Sequence, residues 1–281
     1  MFDAPKENEF TQGTVFSCAY GENYEKFPVY GLVITARCDA IQDKVPVFSY
    51  LPIVPLASWI LVDGASLVLD RIEADCLNTL RNILKDAQLS NSLLRSKSPH
   101  EIYDAHFRMH ESDKNRKKQC NKFLEVAQKY IKTRALQGKQ VNTQLIKEHL
   151  LQHQILVDAV IKELTSHRLA GCYLLRNVKS LEEGECGDYV ALLREVHHIP
   201  TSVAKLISKG VLAEDFPDKI SSNTCPQFRL KDDISLPVCK LKSPWIEHLM
   251  QNFSLLFSRI GVKDNDFDDV KKSLSSVGLG G

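Results

Sequence analysis

YGLVITARCDA, residues 30–40, is a short apolar run that ends abruptly in reactive side chains. Residues 32–34 are large and aliphatic, as is typical of a buried strand. Arg37, Cys38 and Asp39 follow almost at once. Because loops at strand ends build many binding and catalytic sites, the stretch predicts a buried strand with a candidate site where it ends.

Two interpretations of these three side chains are open. In the functional one, the Arg37 cation activates the Cys38 thiol or holds a phosphate group. In the structural one, Cys38 is a small buried hydrophobic residue and Asp39 caps a turn. The adjacency of three reactive side-chain types makes the stretch our first candidate site.

Strand patterns occur on both sides of a long helical region. GTVFSCAY, VYGLVIT and VPVFSYLPIVPL fall in residues 10–62, and they are rich in β-branched and aromatic side chains. GCYLL and GDYVALLREVHHIP give the same pattern in residues 169–240. Pro46, Pro52 and Pro55 cannot donate to a ladder, so we expect VPVFSYLPIVPL at an end or edge of a sheet.

Residues 66–168 show the apolar spacing of amphipathic helices. Within them, Ser98 followed by Pro99 predicts a helix start, with Ser98 as the N-cap. A single long amphipathic helix is predicted over residues 142–167. Ser243, followed by PWIEHLMQNFSLLFSRIG, predicts a further helix near the end of the chain.

The order of strands, helices, strands and helix predicts one α+β fold. Each set of strands is too small to form a stable sheet comfortably by itself. We therefore expect both sets to share one small, partly open β-barrel that a helical insertion interrupts and a C-terminal helix closes. The predicted segments are a first β segment at 1–65, the insertion at 66–168, a second β segment with the closing helix at 169–265, and a flexible tail at 266–281.

Composition limits the function classes. The 281-residue chain has a net charge of +1, so attraction to a polyanion has to come from a local patch. No apolar run approaches the roughly 18 residues of a membrane span, and the eight cysteines form no CxxC pair. We therefore expect a cytoplasmic protein with reduced thiols and no membrane association. The absence of Walker A, GxGxxG, HExxH and zinc-finger spacings disfavours an ATPase, a dehydrogenase and a zinc protease, and we expect no cofactor and no metal.

The clearest charge signal lies in residues 114–139, which contain nine Lys or Arg residues and one Glu. On a helix, cations four residues apart share a face, and that spacing suits a phosphate backbone. The alternative is a solvated helix face whose charge is balanced by acids elsewhere. The candidate nucleic-acid-binding residues are Lys114, Arg116, Lys117, Lys118 and Lys122.

REVHHIP places two histidines near a predicted strand end. Side chains alternate between the two faces of a strand, so one of His197 and His198 faces outwards. If this strand shares a sheet with YGLVITARCDA, an outward His198 or His197 is a candidate general base there. The alternative is an ordinary strand-end histidine. The candidate catalytic set is Arg37, Cys38, Asp39 and His198.

TQGTVFSCAYGENYEKFPVYGLVIT resembles the opening of the PemK/MazF-like, SH3-like barrels. In that family a Gly precedes the first strand, a loop follows, and a Pro leads into an apolar second strand. Here these are Gly13, residues 20–27 and Pro28. YLPIVPL is similar to the third strand, and GDYVALLREVHHIP to a later strand. The resemblance implies an SH3-like barrel and the RNA-cleaving activity of a toxin-like protein.

We expect a non-enzymatic bacterial interaction or nucleic-acid-binding component of an antiviral defence or toxin-like system. Phe27 stands beside Pro28 where the PemK/MazF-like family carries a basic residue, and an RNA-cleaving endoribonuclease is therefore the alternative. The expected partners are RNA or DNA, bound through the basic helix, and a protein. An enzyme needs a concave site that joins the candidate catalytic residues, whereas a binding module needs only an exposed basic helix.

Overall fold

A computed structural model describes most of the chain. The described residues are 1–6, 8–38, 45–114, 116–137, 143–179, 186–212, 215 and 234–258. A first set of strands is followed by a helical block, a second set of strands and a final helix. The mixed helix-and-strand class is therefore confirmed.

Eight of the described strands form one antiparallel sheet in the order β1-β10-β2-β3-β4-β6-β5, with β7 paired to β4. β8 and β9 form a separate pair. Strands from before and after the helical block therefore share one sheet, as predicted. The strands are β1 (Phe2–Asp3), β2 (Thr14–Phe16), β3 (Tyr30–Val33), β4 (Val47–Pro55), β5 (Cys172–Lys179), β6 (Cys186–Leu192), β7 (His197–Pro200), β8 (Val211–Leu212), β9 (Ile234–Ser235) and β10 (Pro237–Leu241).

Most of the helices lie between β4 and β5 in the chain. They begin at Leu56, directly after β4 and ten residues before the predicted helical region. The described α-helices are α1 (Leu56–Leu61), α2 (Asp63–Asp86), α3 (Leu93–Ser96), α4 (Pro99–His106), α5 (Lys117–Ala135), α6 (Thr143–Leu151), α7 (Gln154–Thr165), α8 (Thr201–Ile207) and α9 (Trp245–Ser258).

The sheet is nearly closed into a barrel. β5 and β10, which lie near opposite ends of the strand order, approach each other. The thiol of Cys239 in β10 lies against the backbone of Lys179 at the end of β5. α9 packs on the core inside this barrel through Ile246 and Leu249. The barrel-like sheet and the final helix are thus confirmed.

The central strands are buried on both faces, which explains the continuous apolar run of residues 32–34. Leu32 and Ile53 belong to the core inside the barrel. Val33 and Val54, their neighbours in sequence, belong to the core between the sheet and the helical block. A strand covered on both faces has no solvent-facing positions and therefore shows no alternation.

Pro52 lies in the middle of β4, a central strand, so the expected position at an end or edge of the sheet is wrong. On one side β4 pairs with β3. On the other side residues 47–50 pair with β7 and residues 53–55 pair with β6. Pro52 falls where β4 changes partners, and the ladder on that side is already interrupted there. The missing N–H of Pro52 therefore costs no bond to β6 or β7.

The helical block packs on the outer face of the barrel. Trp59 of α1, Val68 of α2 and Leu164 of α7 bury their side chains in that contact. The far half of α2 builds a separate core with α4 and α5, in which Leu84 and Phe123 are buried. α2, with 24 residues, therefore joins the barrel to the outer helices.

The single helix predicted over residues 142–167 is wrong, because α6 ends at Leu151 and α7 begins at Gln154. His153 Nδ1 lies 2.9 Å from the His149 carbonyl oxygen, which can only accept, so the ring donates. The backbone N–H of His153 instead bonds the Leu150 carbonyl at 2.9 Å. A side chain thus replaces one helical hydrogen bond, and the chain turns there.

The predicted helix start at Ser98 is confirmed. The Ser98 hydroxyl accepts from the Glu101 N–H at 3.3 Å, and the Glu101 carboxylate accepts from the Ser98 N–H at 2.7 Å. Pro99 is the first residue of α4. This reciprocal pair satisfies two backbone donors that a helix start otherwise leaves without partners.

The predicted segment boundaries stay predictions, and the tail at 266–281 lies outside the described residues. Within the described ranges, no helix is both long enough and apolar enough to cross a membrane.

Candidate functional site

The YGLVITARCDA stretch leaves the sheet after Val33, the last residue of β3. Thr35 is half-buried, whereas Arg37 and Cys38 are exposed to solvent. The interpretation of Cys38 as a small buried residue is therefore wrong. Asp39 lies outside the described residues.

Thr35 and His198 are linked through Ser49 of β4. Thr35 Oγ1 accepts a hydrogen bond from the Ser49 backbone N–H at 2.7 Å, and Ser49 Oγ lies 3.0 Å from His198 Nδ1. The register of β4 and β7 places His198 directly opposite Ser49. The strand end that leads to Cys38 and the exposed His198 are thus connected in one sheet, which a shared site requires. When Nδ1 is unprotonated, His198 can accept the proton of the Ser49 hydroxyl.

His197, the neighbouring histidine, has an acidic partner. Its Nε2 lies 2.6 Å from Glu195 Oε1, an atom that also accepts from the Glu22 N–H at 2.6 Å. The imidazole packs edge-on against Tyr20, with ring centroids 5.1 Å apart, and it also contacts Tyr50. The choice of His198 from the sequence missed this pair, although Glu195 and His197 are only two residues apart.

The basic segment is exposed. Lys117 is the first residue of α5 and Arg116 precedes it at the N-cap. Lys114 lies in the turn before the helix, so it does not share a helical face with Lys118 and Lys122 as predicted. All five side chains are exposed.

Most of these cations lack an acidic partner. The Arg116 guanidinium contacts His110 Nε2 at 3.0 Å. Within the part of the chain that the structure describes, Lys117, Lys118 and Lys122 form no salt bridge. These three lysines thus take part in no ion pair among the described residues, and the interpretation in which acids elsewhere balance this face stays open.

The start of α5 concentrates positive potential. A helix N-terminus carries a partial positive charge and usually attracts acidic side chains. The first turn of α5 contains no acidic residue, and no side chain caps it. The lysines therefore add to the field of the helix end instead of opposing it, and the segment is suited to an anionic ligand.

A second group of titratable side chains, which sequence reasoning missed, lies where α2 begins. Tyr24, from the loop between β2 and β3, donates its hydroxyl hydrogen to Asp63 Oδ2 at 2.8 Å. Cys172, the first residue of β5, lies near Asp63 and the Trp59 indole. Trp59 Nε1 is buried without a hydrogen-bond partner among the described residues.

Burial dominates the protonation of this group. Burial raises the pKa of Asp63, the hydrogen bond from Tyr24 opposes that rise, and nearby Glu195 adds to it. Burial and the adjacent Asp63 raise the pKa of Cys172 to about 11. The pKa of Tyr24 is also raised, again mainly by burial. Tyr24 and Cys172 therefore keep their protons at neutral pH, and Asp63 is the group that can carry charge.

A cleft of about 660 Å³ opens beside Asp63. Its walls come from the loop that carries Tyr24, the first half of α2, the end of α5 and the start of α6. Both apolar and charged side chains line it: the apolar ones include Phe27, Leu69 and Ile146, the acids include Asp63, Asp70 and Glu73, and the cations are Lys26 and Arg134. The volume is within the range of small-molecule sites.

No sequence pattern indicates this group, because its members come from separate elements. Tyr24, Asp63 and Cys172 lie in a loop, at a helix start and at a strand start. An acid in the first turn of a helix is an ordinary feature that needs no functional explanation. In the described ranges, no group of three or more His, Cys, Asp or Glu side chains is placed to hold a metal ion.

Comparison of the chain with protein-family models, with curated proteins and with solved structures found no match. The resemblance to PemK/MazF-like barrels therefore stays a prediction, and function has to be argued from the described geometry.

Proposed function

We propose that this protein binds RNA or DNA through the basic segment at the start of α5, without cleaving it. The observation that supports the proposal is the set of three exposed lysines, Lys117, Lys118 and Lys122, at a helix end that has no acid in its first turn. Nucleic acids are the polyanions whose closely spaced phosphates fit several cations at once.

The arrangement favours contacts to phosphates over contacts to bases. Phe123, the large aromatic side chain in this part of α5, is fully buried against Phe107 and Tyr103. It therefore cannot stack on a base, as aromatic side chains of single-strand-binding proteins do. Lysine contacts to phosphates fix the position of a nucleic acid and do not read its sequence. The binding is thus proposed to be independent of sequence.

The experiment is a salt series with the purified protein and short single- and double-stranded RNA and DNA. Each phosphate contact contributes roughly −0.7 to −0.9 to the slope of log affinity against log salt. Lys117→Gln, Lys118→Gln and Lys122→Gln together should reduce the magnitude of that slope by about two to three. All sequences of one length should weaken alike.

A matched control variant loses the same number of positive charges, but at lysines outside the basic segment. Lys147, Lys162 and Lys209 are exposed lysines outside α5, and their replacement by Gln should leave the slope unchanged. Equal effects of the two triple variants would refute the basic segment as the interface. No binding by the parent protein at ~50 mM salt would refute nucleic-acid binding, and a protein partner would then be the better proposal for this segment.

The barrel is proposed to be of the SH3-like type, in a bacterial protein of a defence or toxin-like system. The resemblance of residues 11–35 to the opening of PemK/MazF-like barrels supports both parts of this proposal. An experimental structure would test the first part by strand order, since a barrel whose strands follow a different order would remove the basis for the second.

RNA cleavage is the second candidate function. The contact of Ser49 Oγ with His198 Nδ1 favours it, because it connects a histidine base to the strand end that carries Arg37 and Cys38. End-labelled RNA incubated with the protein would be cut, and His198→Ala would remove the cutting. Intact RNA after long incubation with the parent protein would reject this candidate and leave binding alone.

A further inference from the structure

The cleft beside Asp63 contains a row of acids along one face of α2. Asp63, Asp70 and Glu73 all line it, and they are spaced by seven and three residues on one helix. At a rise of about 1.5 Å per residue, Asp63 lies roughly 10 Å along the helix from Asp70. The cleft therefore offers separate acidic positions along its length.

The chain itself occupies two of the three positions with hydrogen-bond donors. The Arg134 guanidinium pairs with Glu73 Oε1 at 3.3 Å. The Gln137 side-chain amide donates to Asp70 Oδ1 at 3.0 Å and to Glu73 Oε2 at 2.8 Å. The surroundings of Glu73 thus show that this row accepts a guanidinium group.

Asp63 is the position without such a donor. Tyr24 donates to its Oδ2, while Oδ1 receives no hydrogen bond from the described residues, and no described cation forms a salt bridge with it. Burial raises the pKa of the Asp63 carboxyl, and the hydrogen bond from Tyr24 opposes that rise. A half-buried carboxylate held by one phenol gains most from a cation that also donates a hydrogen bond.

We propose that the cleft binds a small organic cation, whose ammonium or guanidinium group donates to Asp63 Oδ1 and whose aliphatic part lies against the apolar walls. Phe27, Leu69 and Ile146 supply those walls. The Tyr24 hydroxyl holds the carboxylate in place, so Tyr24 is a positioning residue. This site is separate from the basic start of α5 in both charge and ligand class.

The test uses agmatine, which carries an ammonium and a guanidinium group on a short alkyl chain, and n-butylurea as a neutral control of similar shape. Isothermal titration should show saturable binding of agmatine and none of n-butylurea. Asp63→Asn keeps the shape and the acceptor for Tyr24 but removes the charge, and it should weaken agmatine binding at least about tenfold. Asp75→Asn, an exposed acid on the same helix outside the cleft, should change it by less than about twofold.

A second variant keeps Asp63 and gives it a cationic partner from the protein itself. Ser66 is exposed and lies one turn after Asp63 on the same face, so Ser66→Arg supplies a guanidinium at the spacing of a helical ion pair. It should abolish agmatine binding and leave the melting temperature nearly unchanged. Absence of saturable agmatine binding, equal binding of n-butylurea, or equal losses in Asp63→Asn and Asp75→Asn would each overturn the proposal. Undiminished binding by Ser66→Arg would also place the ligand elsewhere.

Discussion

The two halves of α5 carry cations in different surroundings. At its start, Lys117, Lys118 and Lys122 are exposed and form no salt bridge within the described ranges. Near its end, Lys132 approaches the Gln152 side chain at 3.5 Å and Arg134 pairs with Glu73 of α2. The first half therefore presents three exposed cations without an ion-pair partner among the described residues, whereas Arg134 in the second half is paired with an acid.

The difference follows from what each half packs against. The end of α5 lies beside the part of α2 that carries Glu73, whose side chain is largely buried. The start of α5 meets α4 through stacked aromatic rings, with the centroids of Phe107 and Phe123 4.5 Å apart. Apolar contacts therefore hold the start of α5, and polar contacts help to hold its end. Among the described residues, the lysines at the start do not take part in either kind of contact.

Removal of the aromatic contact between Phe107 and Phe123 should change the free energy of unfolding most. Phe123 is fully buried, so Phe123→Ala leaves a cavity and should lower the free energy of unfolding by about 3–5 kcal/mol. Urea unfolding would measure it. Ile155→Ala, at an apolar side chain that is 85% exposed, should cost less than about 1 kcal/mol. Similar values for the two variants would show that the start of α5 is not held by this core.

A fall in pH should destabilise the contacts at the end of α5. Burial, with smaller contributions from neighbouring His153, Lys132 and Lys129, lowers the pKa of His149 to about 4. The unfolded chain takes up this proton below pH ~6.5, while the folded protein takes it up only below about 4. Stability from this group is therefore complete above pH ~6.5 and is lost as the pH falls towards about 4, by on the order of 3 kcal/mol.

The measurement is the free energy of unfolding as a function of pH. Other groups also titrate in this range, so His149→Gln has to be compared with His100→Gln, a change at an exposed histidine. The first variant should flatten the curve between pH ~6.5 and ~4, and the second should leave it as in the parent protein. Parallel curves for all three proteins would mean that His149 is not held neutral by its surroundings.

The contrast between capped and uncapped helix starts should appear as an intermediate effect. α4 begins with the reciprocal Ser98–Glu101 pair, whereas the first turn of α5 has no side-chain cap. Ser98→Ala should lower the free energy of unfolding by about 1 kcal/mol. Ser96→Ala, whose hydroxyl only approaches the Leu93 carbonyl, should change it by less than about 0.5 kcal/mol. A loss of similar size in both variants would assign the effect to something other than the cap.

The smallest expected effects have opposite signs in the two halves of α5. Lys117→Gln with Lys118→Gln removes cations from the positive end of the helix and should raise stability by about 0.3–1 kcal/mol at low salt. Arg134→Gln breaks the pair with Glu73 and should lower stability by about 0.2–1 kcal/mol. Chemical unfolding at low and high salt would measure both, since salt should reduce each difference. Changes of the same sign would contradict the division of α5 into free and paired halves.

Short-range patterns in the sequence were reliable guides to the fold. The helix start at Ser98 depends on residues three positions apart, and the exposure of Lys118 and Lys122 follows from the buried positions of Cys120 and Phe123 on the same helix. Each of these features is determined by neighbours in the chain, so the sequence alone contained the required information.

Features that depend on distant partners were not predictable. Pro52 is tolerated in a central strand only because β4 changes from β7 to β6 there, and no local pattern contains that fact. The division of the predicted long helix is a local exception, because the His153 ring donates to a carbonyl only four residues away and the apolar spacing gave no sign of it. At the candidate site, a shared sheet for His198 and YGLVITARCDA was stated only as a condition. The contact of His198 with Ser49 and the pairing of Tyr24 with Asp63 were not expected. Residues from separate elements meet by topology, which one sequence does not reveal.

The pairing of β4 with β6 also has a consequence for the order of folding. Ile53 and Ala191, which lie opposite each other, are 138 residues apart in the chain. Pairing over such a separation is slow compared with helix formation. Amides of α5 should therefore become protected in pulse-labelling hydrogen exchange before those of β6. Until β6 arrives, β4 has an open edge that can pair with another chain, so the interval between helix formation and barrel closure is the period in which this protein is most vulnerable to misassembly.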